Sequence, residues 1–259
     1  MEKVIIPDPG HGGEDRANQG PTGYIEADGV LDIGLRLKEL LIKEGYPIKM
    51  TREKDETVAL YDRAQMANRW QGRLFISLHT NAGTETSNGI ETFYTLNNEW
   101  QNQQHHQEAK RAAEILQRNL VEATGLRDRG IKTRLVDNAT SPIHGKDYYA
   151  VIRRSNMPAI LVEMGFHSNP REEALLKTPA FRQKLAEALL KGMKEVYPLK
   201  KQNIVEKQNI KLNIHGMPSQ VEGIFYENKN YVPVTFLREL GYKVTGHGTN
   251  VEIEYRKEQ

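Results

Sequence analysis

The chain has 259 residues, 38% of them hydrophobic and 27% charged, enough for one large domain or a domain with a small appendage. Its net charge of +2 gives no electrostatic case for nucleic acid, and the absence of cysteine excludes disulfides, thiolate zinc sites and cysteine nucleophiles together. No apolar run approaches the ~18 residues of a membrane span, so membrane insertion is not expected.

In chain order, "VIIP", "YPIKMT", "LFISLH", "IETFY" and "AILVEM" read as short strands. Between them lie helical patterns. Val30, Ile33, Gly34, Leu37 and Leu41 share one helix face, as do Ala109, Ala112, Ala113, Leu116 and Leu120, and Phe181, Leu185, Leu189, Met193 and Val196. "NPRE" from Asn169 and "TPAF" from Thr178 are helix starts, each with a capping side chain and proline at the first helical position. Strands alternating with helices predict an α/β domain: a largely parallel twisted sheet flanked by helices on both faces, over residues 1–197. The polar, aperiodic stretch at residues 198–209 reads as a linker. Residues 210–259 read as a small α+β module, with strands in "IKLNIHG", "IFYENKNYVPV" and "NVEIEY", a helix in "TFLRELG", and a turn in "ENKN".

Functional groups in open α/β sheets gather at the carboxyl ends of the strands. That rule selects His11 after "VIIPDPG", His79 closing "LFISLH", and Glu163 in "AILVEM"; Glu26 stands just before the first helical pattern. Two histidines and two carboxylates on one rim fit a zinc hydrolase, in which three ligands hold the metal and the spare carboxylate handles protons. Glycines after His11 allow the chain to turn closely around it. A carboxylate at the edge of a buried strand needs a compensating partner, so Glu163 is the hardest of the four to read as incidental. No HExxH helix is present.

"DPGHGG", the Glu of "YIEAD", "TREKD", "LYDRAQMAN", "LFISLHTNA", "GIETFY", "DRGIK" and "PAILVEMGFHSNPRE" resemble, in order and spacing, the zinc-dependent N-acetylmuramoyl-L-alanine amidases of bacterial cell walls. The resemblance covers residues ~2–197 and implies that His11, Glu26 and His79 hold one zinc ion while Glu163 is the catalytic carboxylate. It implies cleavage of the amide between N-acetylmuramic acid and L-alanine in peptidoglycan, for cell-wall lysis. The alternatives are another zinc peptidase acting on stem peptides, as carboxypeptidase or endopeptidase, or a non-catalytic wall-binding protein. A carboxypeptidase needs a cationic pocket, for which Arg63, Arg153 and Arg154 are candidates. Asn81, two residues past a ligand, and His144, in the loop "SPIHGKD", are assigned weaker roles as substrate contacts. Arg52, Asp55 and Arg63 are expected to be salt-bridged scaffolding, and His167 to serve a turn. Pro7 stands where the family carries an apolar strand residue and removes a ladder donor. The C-terminal module resembles the repeat domain named after the N-terminal region of copper amine oxidases; this implies no copper, and its expected role is wall binding, with a fold-completing or dimerising module as the alternative. "VIIP" is too short for the core of a signal peptide. The expectation is therefore a protein made in the cytoplasm and released onto the wall in phage or sporulation lysis, or the mature form of a secreted enzyme.

Overall fold

A computed structural model describes residues 4–96, 105–199, 206–214, 217–226, 229–231, 233–239, 242–247 and 250–255. The chain divides into two compact units, residues 1–199 and 200–259.

The first unit is built on five strands: β1 (Ile5–Pro9), β2 (Leu74–Asn81), β3 (Ile90–Tyr94), β4 (Asp128–Lys132) and β5 (Ala159–Phe166). They lie in the order β1-β2-β5-β3-β4. β1 pairs parallel to β2, β2 to β5, and β3 to β4; only β3 and β5 run antiparallel. The expected mixed, mostly parallel α/β sheet is therefore present, with edges at β1 and β4.

Its two faces are covered unequally. Ile5, Leu74, Ile76, Leu78, Ile90, Ile160, Val162 and Met164 pack on one face. Against them lie three long helices, α1 (Glu26–Lys43), α3 (His106–Thr124) and α6 (Pro179–Val196), through the apolar stripes read from the sequence. Each large apolar side chain buried there contributes about 1.5–3 kcal/mol. Alternate residues face the other way: Ile6, Phe75, Phe93, Ala159 and Leu161 meet Ala67 of α2 (Leu60–Arg69) and Val151 and Ile152 of α4 (Ala150–Arg153). These two helices are short, and α4 is a single turn. The strand period of two therefore aims Asp8, Ser77, His79, Glu91 and Glu163 at the thinly covered face, where room is left for a cleft.

The predicted caps form. Asn169 accepts from the backbone N–H groups of Arg171 and Glu172 at the start of α5 (Pro170–Leu176), and Thr178 accepts from Phe181 N at the start of α6.

The strand expected in "YPIKMT" does not form; Ile48 makes a single bridge to Ile5. Pairing begins with Ile5 N to Pro47 O and Lys49 N to Ile5 O, and Thr51 N reaches Pro7 O at 3.3 Å. Pro7 has no N–H to return the next bond, so the ladder fails there and β1 becomes the edge.

In the second unit, β6 (Glu206–Ile214), β7 (Met217–Tyr226) and β8 (Lys229–Tyr231) form an antiparallel sheet. α7 (Val234–Glu239) precedes the antiparallel pair β9 (Tyr242–His247) and β10 (Asn250–Tyr255). β6 begins inside the stretch read as linker: Glu206 to Asn209 pair with Gly223 to Phe225 and Glu222. Backbone pairing needs no apolar alternation, so the polar "EKQN" gave no strand signal. The centre of the expected "ENKN" turn lies outside the described residues.

Candidate metal centre and active site

β1 ends in a turn that a chain of ordinary residues would resist. His11 adopts φ 58°, left-handed for a non-glycine, and Gly12 and Gly13 follow at φ 116° and 60°. Two buried arginines hold the turn by its carbonyls. Arg52 donates from Nε to Pro9 O and from Nη2 to Gly10 O and Ala27 O. Arg63 donates to Pro9 O (2.6 Å) and His11 O (2.7 Å). Burial, with Arg63 nearby, lowers the Arg52 guanidinium to about 10. The expectation that Arg52 is salt-bridged is corrected here: among the described residues its hydrogen bonds go to backbone oxygens, a pairing that exists only once the turn is folded.

Arg63 is the ion-paired one, 2.8 Å from Asp8 Oδ1, with side chains 3% and 1% exposed. Ser77 and Thr51 hydroxyls also donate to Asp8. Arg63→Ala is expected to destabilise the first unit by about 3–5 kcal/mol, because it leaves a buried carboxylate without its charge partner. Denaturant unfolding measures this, and a loss under about 1 kcal/mol would contradict the role given to the pair.

The turn delivers His11 to a group of side chains that could hold a metal ion. Its Nε2 lies 3.3 Å from Glu26 Oε2, while His79 Nδ1 lies 2.9 Å from Glu26 Oε1. One ligand atom from each of His11, Glu26 and His79 lies within 4.8 Å of the others. Two of the three are held from behind. Asp15 Oδ2 is 2.8 Å from His11 Nδ1, which turns Nε2 inward. Thr80 N donates to Glu26 Oε1 at 2.9 Å. Gly10 leaves space for the His79 ring, since a Cβ at that position would stand 2.2 Å from it.

Burial alone would raise the Glu26 carboxyl, but hydrogen bonds and charge from His11 and His79 hold it well below the usual carboxylate range. An ionised carboxylate between two imidazoles is a donor set suited to zinc. Zinc bonds of about 2.0–2.1 Å in a tetrahedron put neighbouring donors about 3.3–3.5 Å apart, close to the spacing of His11 Nε2 and Glu26 Oε2. The residues present fit such an ion.

Glu163 stands on the next strand, in register with His79 on one side and Glu91 on the other. It is 8% exposed, and its Oε2 is buried with no hydrogen-bond partner. Burial, then the charges of Glu26 and Glu91, pushes its carboxyl well above the usual range. Glu91 is itself matched by Arg129 at 2.7 Å and Lys132 at 2.5 Å. Glu163 thus stands beside the His11–Glu26–His79 group and outside it, with its ionised form penalised by burial.

All four rim residues line one cleft of about 490 Å³, together with Asn81, His167, Arg134 and Tyr149. Asn81 donates to Glu91 Oε1 and accepts from Ala82 N. His167 has more than a turn role: its Nδ1 is 2.9 Å from Thr80 Oγ1 and 3.9 Å from Glu26 Oε2. His144 is not brought to the cleft; it is exposed, in a turn closed by its N–H to Ser141 O. Arg153 and Arg154 line a separate cavity with Gln65, Asn68 and Ile143, and Arg63 is committed to Asp8. Of the three arginines considered for a carboxypeptidase pocket, Arg153 and Arg154 are therefore placed elsewhere, and Arg63, which lines the cleft, is spent on Asp8 and on the carbonyls of the His11 turn. Sequence reasoning missed Asp15, Thr80, Arg134 and Tyr149; only Asp15, four residues after His11, carried a local signal.

The family described as N-acetylmuramoyl-L-alanine amidase matches residues 4–195, so the second unit lies outside the match. The uncharacterized protein YqiI of Bacillus subtilis is 32% identical, over 75% of this chain and 85% of its own length. N-acetylmuramoyl-L-alanine amidase LytC of Bacillus subtilis is 33% identical over 75% of this chain, which spans only 36% of LytC. The crystal structure of an N-acetylmuramoyl-L-alanine amidase from Clostridium difficile 630 superposes with a TM-score of 0.63. It is 31% identical, over 74% of this chain and 95% of that one. No helix among the described residues is long and apolar enough to cross a membrane.

Proposed function

This chain belongs to the N-acetylmuramoyl-L-alanine amidase family, and on that premise we propose that it is a zinc enzyme of the peptidoglycan wall. It cleaves the amide between the lactyl group of N-acetylmuramic acid and L-alanine of the stem. The observation that carries this reading is one rung of the sheet. His79 of the metal-binding group stands beside Glu163, whose Oε2 is buried and unpartnered at the cleft.

His11, Glu26 and His79 would hold one zinc ion, which supplies Lewis-acid chemistry: it lowers the pKa of water toward ~7 and polarises the amide carbonyl. Asp15 fixes the orientation of His11, and Thr80 N–H fixes the carboxylate of Glu26. Glu163 takes the proton of the attacking water and returns one to the departing alanine nitrogen. The second transfer is needed because an unprotonated amine anion is a very poor leaving group. A buried carboxyl that favours its proton suits that return step.

Digestion of purified peptidoglycan tests the reading. New amino groups are expected to rise while reducing sugar ends stay constant, and chelation is expected to stop the reaction until zinc is restored. A rise in reducing ends would mean glycosidic cleavage and would overturn it.

A further inference from the structure

Beyond the metal-binding group, the cleft wall carries a cation that the chemistry above does not use. Arg134 follows β4, so it comes from the opposite edge of the sheet to His11. Its guanidinium lies 3.8 Å over the Tyr148 ring and 5.9 Å from that of Tyr149. Tyr148 packs edge-on against Tyr149 at 5.3 Å, and Tyr149 packs on Phe93 of the sheet at 4.9 Å. The backbone is pinned as well: Tyr148 N donates to Arg134 O at 2.8 Å, and Val136 N to Lys146 O at 2.9 Å.

Apart from Glu163, whose carboxyl the proposed chemistry uses, the acidic groups of the cleft are matched. Asp8 has Arg63, Glu26 has both histidines, and Asp15 has His11. Among the described residues Arg134 has no carboxylate within ion-pair distance. Arg134 also shares a side-chain hydrogen bond with Tyr149, and a planar guanidinium held by aromatics in this way, with further N–H donors to offer, is preorganised for an oxyanion.

We infer that Arg134 is a specificity-determining residue that binds a carboxylate within the peptide stem. This rests on the amidase reading, and that reading says which side of the scissile bond carries the anion. The only carboxyl of N-acetylmuramic acid is the one consumed in the amide. A carboxylate presented to Arg134 therefore belongs to the peptide. A cleft of about 490 Å³ is in the size class of a small-molecule pocket, so it accommodates residues near the scissile bond rather than a whole stem. The carboxylate is accordingly an internal one, left free by the peptide linkage, and not the terminal carboxyl.

Three soluble muropeptides test this with the zinc-loaded full chain: one with all carboxyls free, one amidated at the internal carboxyl, and one amidated at the terminus. Wild type is expected to prefer the free internal carboxylate by about 10-fold or more in kcat/KM, chiefly through KM. It should be indifferent to the terminal group. Arg134→Gln should abolish the preference, and Arg134→Lys, which keeps charge without the planar fork, should retain part of it. Thermal melting of each variant separates this from misfolding. Equal losses by Arg134→Gln on all three substrates would overturn the inference and leave the amidase reading standing, as would a wild type without preference. A wild type that frees no L-alanine amino groups would overturn the amidase reading and the inference with it.

Discussion

Glu163→Gln is expected to slow amide cleavage by about 10²–10⁴-fold, the usual worth of a positioned acid–base group. The loss can exceed that range, because one residue serves both proton transfers. Shape and burial are conserved by the substitution, and Glu163 stands outside the three residues proposed to hold zinc, so zinc content should not change. Stability should hold or rise. The carboxyl has its folded pKa raised, chiefly by burial, so its neutral form is tolerated and its ionised form penalised. Wild-type stability therefore falls as pH rises above the usual carboxylate range, and the Gln variant lacks that fall. Measured kcat with metal analysis and melting across pH reads all three effects. If Glu163→Gln lost its zinc, the carboxylate would be a ligand and the division of labour would fail.

His79→Ala should remove the metal itself. Zinc bound by three protein ligands loses one nitrogen donor, and the carboxylate oxygen beside it loses the partner at 2.9 Å. Activity is expected to fall below detection, with metal content dropping from about one zinc per chain toward none. Asp15→Ala supplies a graded comparison. It touches His11 from outside the group, and losing such a partner costs about 10–100-fold in metal affinity. Equilibrium dialysis against zinc orders the two variants. Retention of a full equivalent by His79→Ala would contradict the ligand set.

Much of this site was legible before folding because strand ends and helix starts are local signals. His11, His79 and Glu163 follow from where apolar runs stop, and Glu26 from the first helix. The stripes of α1, α3 and α6 and the caps at Asn169 and Thr178 are legible for the same reason. What escaped was set by distance in sequence. Arg52 binds carbonyls of a turn about 40 residues away, and composition cannot tell that from an ion pair. Pro7 is visible in the sequence, yet its consequence falls on the segment "YPIKMT", whose own pattern reads as a strand. Arg134 reaches the cleft only because β4 lies at the far edge and its loop packs back on Tyr148 and Tyr149. The cleft exists because α2 and α4 are too short to cover their face, which shows only when the sheet order is known.

The central claim is the bond that is cut, and mass analysis of a single defined muropeptide reads it directly. An amidase yields two products from an N-acetylmuramoyl peptide: the sugar with a free lactyl carboxyl, and the intact stem with L-alanine at its amino terminus. The account predicts that pair for wild type. A shortened stem still attached to the sugar would contradict it, because cleavage would then lie within the peptide.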